Sequence, residues 1–64
     1  MPGTVYATTV VRRRGEAPLN VVLVDLDGGG RVMSRVEGIA PEEVAVGLAV
    51  TEVEGSDPLV FRPA

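Results

Sequence analysis

The sequence predicts an all-β fold, because short apolar segments alternate with turn-forming residues throughout its 64 residues. Eight glycines and five prolines interrupt the chain at short intervals. The segments between them are rich in valine, whose branched side chain suits a pleated strand. We therefore expect five strands in one domain that covers residues 1–64.

The first half of the chain predicts three strands. The first covers residues 4–13, and a loop with Gly15 and Pro18 follows it. A nearly continuous apolar run predicts the second strand at residues 21–26, and the third covers residues 31–36. The Asp-Gly-Gly-Gly stretch between them supplies the positive φ angles of a tight turn, so these two strands should form a hairpin.

The second half predicts one helical turn followed by two strands. Pro41 suits the first position of a helix, so we expect a helical turn within residues 38–47. Strands should follow at residues 48–54 and 59–62, with a turn between them. A short helix between the third and fourth strands is typical of an OB barrel, whereas an SH3-like barrel would place it between the last two strands. The sequence therefore predicts a five-stranded OB-type barrel.

The composition argues against catalytic and metal chemistry. The chain has no cysteine and no histidine, and all six basic residues are arginine, so it offers no thiolate, imidazole or lysine amine. The serine and threonine hydroxyls have no evident base partner. We therefore expect no catalytic residue, no metal site and no enzyme activity.

Charge and length constrain the partners and the location. The net charge of −3 gives the chain no general attraction to nucleic-acid phosphates.

No apolar run approaches the roughly 20 residues of a membrane-spanning helix, and no signal-peptide pattern is present, so we expect a cytoplasmic protein. A domain of this size buries only about 60% of its unfolded surface, so self-association or docking on a larger protein is expected.

Three consecutive arginines, Arg12, Arg13 and Arg14, end the first predicted strand and enter the first loop. In OB barrels this loop borders the usual binding face, and arginine forks pair well with phosphate or carboxylate. The three side chains form either an anion site, for a cofactor phosphate for example, or a solvated strand end that Glu16 balances in part.

A second pair of arginines, Arg31 and Arg35, shares one face of the third strand with Met33 between them. This basic stripe with an apolar centre suits a partner or a ligand that carries an acyl chain. It is equally consistent with an ordinary exposed strand face that long side chains cover. Both interpretations stay open on the residues alone.

Asp25 and Asp27 would share a face of one strand, and they lead into three glycines. The stretch does not match a calcium loop, because Gly29 and Val36 stand where such a loop needs ligands. It does not match a phosphate loop either, because the glycines lead into a strand instead of a helix. We therefore predict a turn-forming role for these residues.

Tyr6 and Phe61 are the two aromatic residues of the chain. A surface that binds single-stranded nucleic acid stacks bases on aromatic side chains within a basic groove, so two aromatics in an acidic chain make a poor platform. Both are expected to be packing residues. A single-stranded nucleic-acid-binding OB domain is kept as the alternative function.

Four stretches carry a resemblance to a known family: residues 22–28 (Val-Leu-Val-Asp-Leu-Asp-Gly), 31–35 (Arg-Val-Met-Ser-Arg), 41–44 (Pro-Glu-Glu-Val) with Gly47-Leu48, and 60–64 (Val-Phe-Arg-Pro-Ala). In this order and spacing the chain resembles the OB-fold half of the acyl-CoA-associated zinc-ribbon/OB family, catalogued as domain of unknown function thirty-five. That family's zinc ribbon is built from two cysteine pairs, which this sequence does not contain.

The resemblance implies a non-catalytic accessory or scaffold subunit for a thiolase-like or other acyl-CoA enzyme, which bridges partners and helps to hold acyl-CoA. It implies no resident cofactor beyond a contact with CoA or acyl-CoA. We assign that contact to the arginines of the two clusters, Arg12, Arg13, Arg14, Arg31 and Arg35.

Overall fold

The computed structural model describes residues 2–64, which form five β-strands and one short 3₁₀ turn. The strands are β1 (Pro2–Val11), β2 (Leu19–Leu26), β3 (Arg31–Ser34), β4 (Ala49–Glu52) and β5 (Phe61–Pro63), and the 3₁₀ turn spans Pro41–Glu43. The all-β class, the five strands and the helical turn between β3 and β4 are confirmed.

Neighbouring strands pair antiparallel in the order β3-β2-β1-β4-β5. The two sheet edges meet beyond β3, where Val36 forms a parallel bridge with Phe61. There the Phe61 amide donates to the Arg35 carbonyl at 3.0 Å, and the Glu37 amide donates to the Phe61 carbonyl at 2.8 Å. Within residues 2–64, β3 and β5 share no longer ladder, so the expected closed barrel is not confirmed. The architecture is a sheet whose edges touch at one bridge.

The ends of several elements differ from the sequence prediction. β1 stops at Val11, so Arg12 and Arg13 belong to the loop, and β2 already begins at Leu19 because that residue pairs with Val11. At the other end of the chain, β5 includes Pro63. Proline is tolerated there because an edge strand leaves one row of its amides without a ladder partner.

The helical turn is shorter than the predicted segment 38–47. Val44 donates its amide to the Pro41 carbonyl at 3.4 Å and then adopts extended backbone angles. Its side chain is buried in the core, which requires the chain to leave the helix at this point.

The core lies on the inner face of the sheet and is formed mainly by valines. Val5, Val22, Val24 and Val50 pack with Phe61, and each of the five is at most 1% exposed. On β2 the buried positions alternate with less buried ones, as strand geometry requires. The expected packing role of Phe61 is therefore confirmed.

β1 and β2 approach each other closely at Gly3. A Cβ atom at this position would lie 2.6 Å from Val24 Cγ1 and 2.7 Å from the Asp25 carbonyl oxygen. Because the second of these neighbours is backbone, any side chain here would force the two strands apart.

Candidate functional site

A groove of about 380 Å³ opens between the outer end of the β1–β2 hairpin, the end of β3 and the loop that precedes β5. It is lined by Val11, Arg13, Leu19, Asn20, Val21, Met33, Ser34, Arg35, Pro58, Leu59 and Val60. OB folds bind ligands on the face of strands two and three, between the first and last loops. This cavity, called the apolar groove below, lies at that location.

Large apolar side chains that water can reach form much of the apolar groove. Leu19 is 49% exposed, Met33 73% and Leu59 40%. They come from β2, β3 and the last loop, so the fold assembles them from three distant parts of the sequence. Exposed apolar side chains gathered on one surface indicate a binding site, because a folding core would bury them.

The buried side chain of Asn20 fixes one wall of the apolar groove. Its Nδ2 donates to the Val36 carbonyl at 2.7 Å, and the Val36 amide donates to its Oδ1 at 2.6 Å. The side-chain amide thus acts as a strand partner for Val36, which lies just after β3. The sequence prediction placed Asn20 in a loop, and an asparagine alone gives no signal for such a contact.

A serine hydroxyl fixes the last loop at the apolar groove. Ser34 Oγ donates to the Leu59 carbonyl at 2.7 Å, which ties the last loop to the end of β3. Within that loop, the Val60 amide donates to Ser56 Oγ at 3.1 Å. These two contacts hold Leu59 and Val60, which line the groove, in place.

Three of the five arginines predicted to contact CoA are paired with acidic side chains. Arg12 Nη2 lies 3.0 Å from Glu42 Oε1, and Arg35 Nη2 lies 2.8 Å from Glu37 Oε2. The third, Arg31, places Nε 2.6 Å from an oxygen of Asp25.

The side chains of Arg13 and Arg14 form no ion pair or hydrogen bond within residues 2–64. Of the five predicted arginines, Arg13 and Arg35 line the apolar groove. The structure therefore brings these two to one cavity and does not gather all five into one anion site. Their contact with CoA stays a prediction.

Tyr6 lies on the surface, so the prediction that it is a packing residue is wrong. Tyr6 is 51% exposed, and Arg31 Cζ lies 3.6 Å from the centroid of its ring. The hydrogen bond that Arg31 donates to Asp25 is the main cause that raises the pKa of Arg31 above its ordinary value. Desolvation opposes this rise, and the electrostatic interactions with Asp25 and Tyr6 add to it. Sequence reasoning missed this stack because its two residues come from different strands, β1 and β3.

Asp25 and Asp27 do not act together. Asp25 pairs with Arg31 on β3, whereas Asp27 lies in the turn that follows β2. That turn is closed by the Leu26 amide, which donates to the Gly30 carbonyl at 3.0 Å. The turn-forming role is confirmed for Asp27, while Asp25 holds an arginine.

No three acidic side chains among residues 2–64 come close enough together to hold a metal ion. The part of the chain that the structure describes also contains no helix of the length and apolar character needed to cross a membrane.

Comparison with known proteins connects this architecture to a family. A family model for the C-terminal OB-fold domain of ChsH2 matches residues 2–54. Among solved structures, a chain of the Ltp2-ChsH2(DUF35) aldolase matches with a TM-score of 0.71 and 34% sequence identity. The alignment covers 97% of this chain and 56% of that chain, so this chain spans little more than half the length of its structural relative. No curated protein matches the chain.

The two matches agree with each other and with the architecture. Both name ChsH2, and the structural relative carries the DUF35 designation that the sequence resemblance named. The resemblance is therefore confirmed, and the chain belongs to the family of ChsH2 C-terminal OB-fold domains.

Proposed function

We propose that this domain is a non-catalytic partner subunit of a thiolase-like enzyme of acyl-CoA metabolism. Support comes from its family and from its 34% identity to a chain of the Ltp2-ChsH2(DUF35) aldolase, whose name joins ChsH2 to a second component. The observation that carries the proposal is the apolar groove, a binding surface with no reactive group beside it.

The lining of the apolar groove supports a ligand with an apolar chain and an anionic end, such as acyl-CoA. Leu19, Met33 and Leu59 provide contact for a chain of methylene groups. Arg13 stands at the rim with all its donors free among residues 2–64, whereas Arg35 already binds Glu37. Arg13 is therefore the side chain best placed to receive a phosphate or carboxylate.

The polar groups at the groove support a binding role and give no support to catalysis. The sequence has no cysteine, histidine or lysine to act as nucleophile or base. The Ser34 hydroxyl donates to the backbone of Leu59, and the Ser56 hydroxyl accepts from the backbone of Val60. We therefore assign any chemistry on the ligand to the partner enzyme.

The alternative, binding of single-stranded nucleic acid, has little support. Base stacking needs accessible aromatic rings, but Phe61 is 0% exposed and Arg31 covers one face of Tyr6. The net charge of −3 also opposes binding to a phosphate backbone.

Co-purification tests the partner role directly. Tagged protein isolated from its native host is expected to bring down a thiolase-like enzyme in near-equal molar amount, identified by mass spectrometry. Recovery of the tagged protein with no acyl-CoA enzyme would contradict the proposal.

Thermal unfolding with octanoyl-CoA as the probe tests the ligand. We expect octanoyl-CoA to raise the Tm of the wild-type chain and of Arg14→Gln, because Arg14 does not line the groove. Octanoyl-CoA should leave the Tm of Arg13→Gln unchanged. An equal rise for both variants would exclude Arg13 as the anion contact, and no rise for wild type would exclude the ligand.

A further inference from the structure

A cluster of four residues on the outer face of the sheet stands beside the apolar groove and is not explained by it. Tyr6 on β1, Asp25 on β2, and Arg31 and Met33 on β3 form this cluster, called the Tyr6–Arg31 patch below. Met33 also lines the apolar groove, so the two surfaces are continuous.

The backbone of three strands brings these residues together. Asp25 is opposite Arg31 in the β2–β3 ladder, so the two side chains share a face of the sheet. The pairing of β1 with β2 is irregular between Val5 and Ala7, which leaves Tyr6 as an extra residue in the strand. Such a bulge redirects the side chain that it contains. Here the Tyr6 ring reaches across β2 to lie under Arg31.

Stability of the fold does not account for this ordered arrangement. Arg31 and Asp25 are 47% and 45% exposed, and exposed ion pairs add little to stability. Tyr6 is 51% exposed and Met33 is 73% exposed, so neither side chain is buried in the core. The patch nevertheless holds a long arginine side chain in one position, which lowers the entropy cost of a later contact.

The terminal nitrogens of Arg31 indicate what this contact requires. Its Nε donates to Asp25 and its guanidinium interacts with Tyr6, while no second acidic side chain pairs with the terminal nitrogens within residues 2–64. A guanidinium group presents these two donors as a fork that matches a carboxylate. Tyr6 and Met33 flank the fork with exposed apolar surface, and Tyr, Arg and Met are the residue types enriched at the centres of protein interfaces.

We propose that the Tyr6–Arg31 patch is the surface by which this domain docks on its partner enzyme, at a partner carboxylate flanked by apolar side chains. This inference rests on the proposed function and adds the interface and its chemistry. Because Met33 belongs to both surfaces, docking here places the mouth of the apolar groove at the boundary with the enzyme.

Titration calorimetry with the purified enzyme that co-purifies tests the inference. We expect Arg31→Gln and Tyr6→Ala to weaken binding about 30-fold each, the loss typical of a central interface side chain. Arg31→Lys should lose most of the affinity too, because an ammonium group has no fork. Val46→Glu is the matched control, since Val46 is 66% exposed and lines neither the patch nor the groove. It should bind within about threefold of wild type.

The outcomes separate this inference from the proposed function. If wild type does not bind the enzyme, the proposed function fails, and the docking surface fails with it. If wild type binds and the patch variants bind as tightly, the docking surface alone is wrong. Circular dichroism checks that each variant folds, and Met33→Glu provides a further variant at the most exposed position of the patch. A wild-type dimer that Arg31→Gln converts to a monomer would also overturn the inference, because the occupant would then be a second copy of the chain.

Discussion

The two faces of the same sheet differ in what their apolar side chains do. On the inner face, Val22 and Val24 of β2 are at most 1% exposed and pack with Phe61. On the outer face, Leu19 of the same strand is 49% exposed, and Met33 of the neighbouring strand is 73% exposed. The strands are apolar on both faces, yet only the inner face is covered by the domain itself.

This difference agrees with the proposed function, in which the outer apolar residues make contacts with other molecules. Apolar surface that stays in water contributes nothing to folding through the hydrophobic effect, so it needs another explanation. Under the proposed function, substitutions on the inner face and its supports should unfold the domain. Substitutions on the outer face should weaken binding at nearly constant stability.

The largest effect is expected for Phe61→Ala. Removing this fully buried ring should cost about 3–5 kcal/mol. The total free energy of unfolding of a chain of this length is only about 3–10 kcal/mol, so much of the variant should be unfolded at room temperature. Urea denaturation followed by circular dichroism measures the loss, and Phe61→Leu is the control, with an expected loss below about 1.5 kcal/mol. Equal stability of Phe61→Ala and wild type would remove the distinction between the faces.

Asn20→Ala should lower the free energy of unfolding by a smaller amount, about 2–3 kcal/mol. The variant leaves the buried backbone amide and carbonyl of Val36 without their hydrogen-bond partners. The Val36 amide should exchange with solvent much faster than in wild type, which hydrogen-exchange NMR can follow. Thr9→Ala, on the exposed side of β1, should change stability by less than about 0.5 kcal/mol. Slow exchange at Val36 in Asn20→Ala would show that the side chain does not support this wall.

Ser34→Ala should lower the free energy of unfolding by about 0.5–1 kcal/mol. The loss is small because the hydrogen bond from Ser34 to the Leu59 carbonyl is exposed. The same change should widen the apolar groove and weaken octanoyl-CoA binding, while Ser34→Thr keeps the hydroxyl and should behave as wild type. Chemical denaturation and ligand titration on the same samples provide both values. Unchanged ligand binding in Ser34→Ala would show that the loop keeps its position without the serine.

The smallest effect on stability is expected for Met33→Ser on the outer face. Because Met33 is largely in water, its free energy of unfolding should change by less than about 0.5 kcal/mol. Binding of octanoyl-CoA and of the partner enzyme should nevertheless weaken. A loss of stability as large as that of Phe61→Leu would mean that Met33 belongs to the core.

The sequence was informative where local signals decide the structure. The glycines after Asp27 specify the β2–β3 turn, and Pro41 specifies the start of the helical turn, so both were predictable. The valine-rich strands were predictable for the same reason. The strand ends were less so, because Leu19 joins β2 through its pairing with Val11, which no local pattern encodes.

The candidate site was less predictable, because its residues meet only through the fold. The two arginine clusters were recognised, but their acidic partners lie up to 30 residues away, as with Arg12 and Glu42. The Tyr6 stack depends on an irregular register in β1, and the role of Asn20 depends on the course of the chain after β3. Periodicity and composition carry no information about contacts of this kind.

The loop before β5 makes most of its backbone contacts with itself. The Ser56 amide donates to the Val53 carbonyl at 3.1 Å, and the Val53 amide donates to the Val60 carbonyl at 2.7 Å, so both ends close the same short hairpin. A longer or shorter loop could therefore be grafted between Val53 and Val60 without entering the valine core. The length of this hairpin is thus separable from the packing of the valine core, which makes the hairpin the natural place to reshape the apolar groove.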